Sequence, residues 1–377
     1  MKKTLIAMAV LGAASGFAMA ASNVTLYGFI ETGVLVQKAK HQDTTVSMVS
    51  GFDQGSRWGI RGVEELGNGY NVGFVLEQGF DSNSGKNTAS NSEGRTFGRE
   101  AQMFVQGGFG KLGFGRFGTL SSGAGSYQIL TGWALGTGYG LSSWTSAIGT
   151  SFSRADNAIA YASPKFGGFS VHVAYSNGVA RDTKKWSENN HYYGLGIKYE
   201  ENAIRSSLIL EALDGKGSTQ TTSSDPDTLD DGTPVKVPYT YEKDNGKPKY
   251  AINYGLEYNL GSWTPMFAYQ FATQKGGNRT HMFGLSAKVS VAGGDALIGA
   301  RYLFGDQKYN TKDEESVRSW NIGAAYVYPL SKRTALKAYA GYADSSKGWK
   351  DKSTNAAGEV TPVYNGYQVF FGMRHQF

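Results

Sequence analysis

The stretch "VFFGMRHQF", residues 369–377, decides the fold. Val369, Phe371, Met373, His375 and Phe377 fall at every second position, and Gln368, Arg374 and Gln376 take the other face. Side chains alternate with period two only along an extended strand. Terminal residues are usually frayed unless a sheet ties them down. The pattern therefore predicts a strand paired with another part of the chain, its own beginning being the natural partner.

The same period recurs toward the amino terminus. In "VTLYGFIETGVLV" (24–36) Leu26, Ile30, Val34 and Val36 share one parity, and Tyr27 and Glu31 the other. In "FSVHVAYSN" (169–177) Phe169, Val171, Val173 and Tyr175 alternate with Ser170, His172, Ala174 and Ser176. In "SWNIGAAYVY" (319–328) Trp320, Ile322, Ala324, Tyr326 and Tyr328 stand against Asn321, Gly323 and Ala325. The connections alternate too. Short turns read at "EELGNG", "GGFGK", "SPKFGG", "YEENA", "NLGS", "VAGG" and "PLSKR". Between them lie polar stretches near residues 37–55, 80–97, 117–153, 177–190, 214–249, 273–279, 306–318 and 343–362. Seven short turns and eight longer connections join sixteen strands, and an even set of antiparallel strands with short turns at one end and long loops at the other is a transmembrane barrel pattern.

Composition agrees. Aromatics make up 13%, with 23 Tyr and 20 Phe, beside 52 Gly and a polar average. A sandwich or propeller would need a dry interior, yet the face opposite the apolar one carries Arg, Glu, Gln, Asn and His. Unpaired buried charge is too costly, so that face meets water, and sixteen strands leave room for an aqueous channel. No run of 18 apolar residues exists after the leader, so membrane-spanning helices are not expected. There is no Cys and hence no disulfide framework. Residues 1–20, "MKKTLIAMAVLGAASGFAMA", read as a secretory signal peptide, with Lys2 and Lys3, an apolar stretch and Ala18-Met19-Ala20 before the expected cleavage. Residues 21–377 then form one barrel domain, the formal charge falling from +6 to +4 as the two lysines leave. Dispersed basic residues without a recognition motif give no reason to expect nucleic-acid binding. The acidic stretch at 223–238 reads as a solvated loop tip, and no metal or cofactor is expected.

In order and spacing, "VTLYGFIETGV" (24–34), "SRWGIRGVEELGNG" (56–69), "GGFGKLGFGRFG" (107–118), "YASPKFGGFS" (161–170), "YPLSKRT" (328–334) and "GMRHQF" (372–377) make the chain resemble the trimeric general porins of Gram-negative outer membranes, most closely the neisserial and β-proteobacterial type. The resemblance implies an all-β, 16-stranded antiparallel barrel with short periplasmic turns, long extracellular loops and a third loop folded into the lumen. It implies passive diffusion of small hydrophilic solutes, with Arg57, Arg61, Arg99 and Arg154 as a basic wall at the constriction and Glu77 as a carboxylate beside them. Arg57 and Arg61 share a parity opposite Trp58 and Ile60, whereas the alternation around Arg99 is muddled. The resemblance further implies a homotrimer, with Glu93 of the second loop reaching Arg116 of a neighbour, and contact with outer-membrane lipids and lipopolysaccharide. Phe377 would be the signal read by the barrel insertion machinery.

The third loop, Phe117 to Ser153, departs from the family pattern, since its 37 residues include no Asp, Glu, Lys, Arg or His. Tyr127, Trp133, Tyr139 and Trp144 are expected to anchor it, stacking on solutes being the alternative. With nothing in the loop to oppose the arginines, an anion preference is expected. A substrate-selective channel for organic anions, phosphate or sugars is the alternative. An outer-membrane enzyme needs a nucleophile beside a base, and no catalytic motif surrounds His172, the histidine on a clear polar strand face. Adhesion by the long loops is compatible with any channel reading.

Overall fold

The computed structural model describes residues 23–40, 42–88, 95–135, 152–179, 185–215, 248–274, 279–309, 313–345 and 365–377. The expected leader, Glu93, Tyr139, Trp144 and the acidic stretch at 223–238 lie outside them. The strands of the first half are β1 (Asn23–Ala39), β2 (Thr45–Ser50), β3 (Arg57–Gly67), β4 (Tyr70–Phe80), β5 (Asn87–Thr88), β6 (Glu100–Gly107), β7 (Gly110–Gly118), β8 (Arg154–Ala162) and β9 (Phe169–Ser176). Those of the second are β10 (Tyr192–Glu201), β11 (Ile204–Leu213), β12 (Lys249–Tyr258), β13 (Trp263–Gln274), β14 (Arg279–Val291), β15 (Gly294–Tyr309), β16 (Asp313–Pro329), β17 (Thr334–Ser345) and β18 (Asn365–Gln376).

β1 pairs with β3 along its first half and with β2 along its second, so β2 and β3 form one stave interrupted at residues 51–56. β5 and β6 both pair with β4 and form a second interrupted stave. Sixteen antiparallel staves result, and the sheet closes where β1 pairs with β18 from Phe29↔Gln376 to Ala39↔Gly366. Phe377 extends that seam: its N–H donates to Gly28 O at 3.0 Å, and Gly28 N–H donates to Phe377 O at 3.2 Å. The expected pairing of the last strand with the first is the observed one.

All seven short turns fall where expected. At the β14–β15 turn Ala292 and Gly293 both have positive φ, 52° and 79°, the backbone that lets a two-residue hairpin follow the strand twist. One long loop is shorter than the sequence suggests. A polar connection is expected over 306–318, yet β15 and β16 stay paired out to Tyr309↔Asp313. Strands that rise beyond the lipid meet water on both faces, so polarity there marks height above the membrane rather than loss of strand. β1 and β2 likewise extend through much of the expected 37–55 loop.

The period-two reading fixes the two surfaces. Leu26, Leu285 and Phe371 point outward and are more than 60% exposed. An apolar belt of that extent is unfavourable in water and favourable in hydrocarbon. Aromatic residues ring both edges: Tyr70–Phe109 and Phe169–Tyr199 near the short turns, Tyr175–Tyr193 and Phe283–Phe304 toward the long loops. Two such girdles mark the two lipid–water interfaces.

Candidate functional site

The inner face of β1, β3 and β4 carries the basic wall. Arg57 and Arg61 share the inner parity of β3, where Arg61 lies over the Tyr27 ring at 5.1 Å and Arg57 over Phe29 at 4.6 Å. Arg57 Nε also donates to Gly55 O at 3.1 Å. Glu77 on β4 sits among them: Arg99 Nε donates to its Oε1 at 2.6 Å, Arg57 Nη1 is 3.7 Å from the same oxygen, and Tyr27 OH donates to Oε2 at 3.1 Å. Arg154 Nε donates to Arg99 O at 3.1 Å. Arg57, Arg99 and Arg154 lie within electrostatic range of one another. Arg57 and Arg99 thus share the Glu77 carboxylate, Arg154 is held on the backbone of Arg99, Arg61 lies over the neighbouring Tyr27 ring, and Glu100 is within electrostatic range of the group.

The muddled alternation at Arg99 has a structural cause. β6 starts at Glu100, so Arg99 precedes the strand and parity does not govern it. From Glu100 onward Gln102 and Phe104 face inward and Met103 outward. Sequence reasoning missed a fifth arginine. Arg374 shares the inner parity of β18, lies over Phe29 at 5.8 Å and approaches Gln54 Oε1 at 3.4 Å. The alternation in "GMRHQF" carried that signal.

The third loop enters the lumen and runs along the wall. Its Leu120, Tyr127 and Ile129 pack with Ala155, Ala158 and Ala174 of the inner face. Three wall carboxylates hold it by its own backbone. Ser126 N–H and Oγ donate to Glu100 at 2.6 and 2.8 Å, Ser121 N–H donates to Glu211 at 3.1 Å, and Gly132 N–H and Thr131 Oγ1 donate to Glu257. Inner-face glycines give it room. A Cβ on Gly284 or Gly299 would come within 3.0 or 2.8 Å of the Trp133 ring. Tyr127 and Trp133 therefore anchor the loop as expected, Tyr127 against Phe117 at 4.8 Å. The three glutamates are invisible as anchors in sequence, because positions 100, 211 and 257 meet the loop only through the barrel's topology.

A second inward segment, residues 51–56, was also not anticipated. Lys337 Nζ, fully buried on β17, reaches Glu31 Oε2 at 2.6 Å and pairs with Asp53. Asp53 N–H donates to Glu31 Oε1 at 2.6 Å. Phe52 stacks on Phe370 at 4.3 Å with an 8° interplanar angle. This hook delivers Gly55 O to Arg57 and Gln54 to Arg374.

Arg116 lies on the outer parity of β7, level with the outward Ala101. It ion-pairs with Asp156 of its own chain, donates to Gly98 O at 2.9 Å, and shares Asp156 with Arg95, 2.6 Å away. Its expected partner Glu93 lies outside the described residues. His172 hydrogen-bonds Ser170 at 3.0 Å on the inner face, and among the described residues no group of His, Cys, Asp and Glu could hold a metal ion.

A closed barrel, apolar outside, polar and arginine-lined inside, with one loop laid along its lumen, is a transmembrane channel of the outer-membrane type. Comparison with known proteins places it further. Residues 7–348 match the Gram-negative porin family, and the chain belongs to that family. It is 30% identical to outer membrane porin protein 32 of Delftia acidovorans over the full length of both, and 33% identical to the major outer membrane protein P.IB of Neisseria gonorrhoeae over 54% of this chain and 55% of that protein. Among solved structures, an anion-selective porin from Comamonas acidovorans superposes with a TM-score of 0.69 at 24% identity, covering 94% of this chain and all of that one. The protein is a passive channel of the outer membrane, not an enzyme.

Proposed function

We propose that the channel prefers anions and that the arginine wall sets the preference. The observation that carries this is the gathering of Arg57, Arg61, Arg99 and Arg154 on one stretch of the inner wall, where the Glu77 carboxylate takes up two of them. The third loop adds no opposing charge, and Glu100 and Glu211 are buried where they hold it. Like charges lining a narrow passage in a low-dielectric wall concentrate counter-ions. The solved porin of similar fold described as anion-selective supports the same reading. Zero-current potentials across a planar bilayer under a salt gradient test it, for the wild type and for Arg57→Ala with Arg154→Ala. At about 0.1 M salt the screening length is roughly 10 Å, falling to about 3 Å at 1 M, so anion selectivity should be strong at low salt and fade at high salt. A cation-selective wild type, or an unchanged double variant, overturns the proposal.

The oligomer is a homotrimer in this reading. The support is the outward ion-pair cluster of Arg95, Arg116 and Asp156, which lipid would solvate poorly and a neighbouring subunit would cover, with Glu93 of that neighbour as a further partner for Arg116. Lipopolysaccharide and outer-membrane phospholipids surround the remaining wall. Residues 1–20 direct export, and Phe377 is the mark read by the barrel insertion machinery.

A further inference from the structure

The third loop is tied to the wall at a point that also touches the short-turn mouth of the barrel. Arg205 is the second residue of β11, next to the short turn that follows β10. In the sheet register it lies opposite Glu200 of β10 on one side and Glu257 of β12 on the other. It shares the inner parity of the buried Ile209 and Glu211, and Glu257 that of the buried Asn253, so the three side chains form a row across the inner face. Cross-strand neighbours on one face interact directly. Arg205 Nε donates to Glu200 Oε1 at 3.0 Å, and Nη1 donates to Glu257 Oε2 at 3.2 Å. Lys165 and Lys198 reach the other Glu200 oxygen at 2.7 and 3.3 Å. The second oxygen of Glu257, Oε1, accepts from Gly132 N–H at 3.2 Å and from Thr131 Oγ1. One carboxylate therefore joins a cation at the mouth to the backbone of the loop inside the lumen.

That joint is a fixed point of the loop. Gly132 has a φ of 93°, and a Cβ there would stand 2.2 Å from Phe267 O, while one on Gly255 would stand 2.0 Å from Thr131 O. The loop backbone is thus pressed against β12 and β13. Just beyond it, Ala134 N–H donates to Ser286 Oγ at 2.9 Å, and Leu135 is buried with Leu297, Tyr339 and Phe370, so a shift at Gly132 is carried along the loop toward the far wall. Glu257 differs from the other two anchors in what steadies it. Glu100 and Glu211 are each 4% exposed and rest on neutral groups besides the loop, Gln102 for the first, Tyr192 and Asn253 for the second. Glu257 rests on a guanidinium that is 50% exposed, its own side chain being 14% exposed. An exposed ion pair is weak, and salt weakens it further. We propose that Arg205 is a positioning residue for the third loop: it holds one oxygen of Glu257 so that the other stays aimed at Thr131 and Gly132, and it thereby makes the set of the loop sensitive to ionic strength at the short-turn mouth. This role is independent of which ions the pore prefers.

The test is single-channel recording in a planar bilayer, reading the fraction of time spent in reduced-conductance states at about 0.1 M and about 1 M KCl, between which the screening length falls from roughly 10 Å to about 3 Å. At the lower salt Arg205→Gln should raise that fraction about two- to fivefold, the range an exposed ion pair commands. Arg205→Lys, which keeps a charge within reach of Glu257, should restore most of the wild-type behaviour. Wild type should approach the Arg205→Gln channel at the higher salt, while the variant itself should not respond to salt. Lys165→Gln removes the same charge from the mouth without touching Glu257 and should record as wild type. In a Glu257→Gln background, Arg205→Gln should add nothing. Thermal melting within a few degrees of wild type shows the barrel of each variant intact. An Arg205→Gln channel as quiet as wild type at the lower salt, or a wild type indifferent to salt, would overturn the proposal. An equal rise in Lys165→Gln would assign the effect to the electric field of the mouth, and an additive effect in the Glu257→Gln background would place it away from the loop anchor. Either result overturns the proposal as well.

Discussion

Replacing Lys337 by Met removes the ammonium that pairs with both Glu31 and Asp53 in the buried hook cluster. Lys337 and Glu31 are almost wholly inaccessible, so neither carboxylate can recover solvation by turning to water. Removing one partner of a buried ion pair costs about 3–5 kcal/mol. For a chain of this length that corresponds to roughly 5–10 °C in melting temperature. Burial already pushes the Asp53 carboxyl above its usual range, and Lys337 opposes that push. Without the ammonium, burial and the facing Glu31 outweigh the weaker pull of Arg374. A carboxyl whose folded pKa is raised binds its proton more tightly in the native state, so stability rises as pH falls through that raised value and levels off near the unfolded value of about 3.9. The deficit of Lys337→Met should therefore be largest at pH 7–8 and shrink toward pH 4–5. Since the hook carries Gly55 O and Gln54 to Arg57 and Arg374, open-channel noise should increase together with the loss of stability. Thermal unfolding in detergent followed by circular dichroism at several pH values, with single-channel recording beside it, makes the measurement. Adding Glu31→Gln and Asp53→Asn to Lys337→Met should return most of the lost stability. A melting temperature unchanged at pH 7.5, or a deficit that grows on acidification, would refute the reasoning.

Other perturbations probe separate parts of the barrel. Deleting Phe377 removes two backbone hydrogen bonds at the seam with Gly28 and should slow insertion severalfold in a pulse-chase assembly assay, while inserted molecules conduct as wild type. Gly255→Val puts branched carbon where Thr131 and Gly132 lie against the wall; the third loop should be displaced, and single-channel conductance should change while the melting of the barrel moves by only a few degrees. Asp156→Asn weakens the outward pairing with Arg95 and Arg116 and should lower trimer resistance to detergent on native gels, with monomer conductance retained.

The fold was legible because lipid outside and water inside impose opposite chemistry on successive residues. Leu26, Val173 and Ile322 announce the outer wall as plainly as Tyr27, His172 and Asn321 announce the inner one. Arg57 and Arg61 were readable for the same reason. Arg99 was not, because it stands one residue before its strand, where hydrogen bonding to Glu77 rather than parity aims it. Strand length at the long-loop end was misread for a related cause, since the sequence loses its alternation near 306–318 while the backbone pairing of β15 and β16 continues out to Tyr309↔Asp313. The hook and the loop anchors were out of reach. Lys337 meets Glu31 across 306 positions of sequence, and no local pattern encodes such a meeting.

The uncharged third loop and the glutamates of the wall explain one another. A loop laid against a wall must satisfy its backbone N–H groups there, and a charged loop side chain would add a desolvation cost unless paired. Here the wall supplies the charge instead: Glu100, Glu211 and Glu257 accept from amides and hydroxyls of Ser121, Ser126, Thr131 and Gly132. Hydrogen bonds to an ionised acceptor are the strong ones, so a loop of Gly, Ser and Thr is held without charges of its own. Glycines at 255, 284 and 299 bring backbone and indole close enough for those bonds to form. One consequence reaches the pore. Carboxylates that would otherwise line the passage are turned toward the loop, while on the arginine wall Arg61 stays exposed and Arg57 and Arg154 stay partly exposed. The sign of the selectivity thus follows from which side of the loop each charge lies on, and a count of charges in the chain, +6 overall, says little about it.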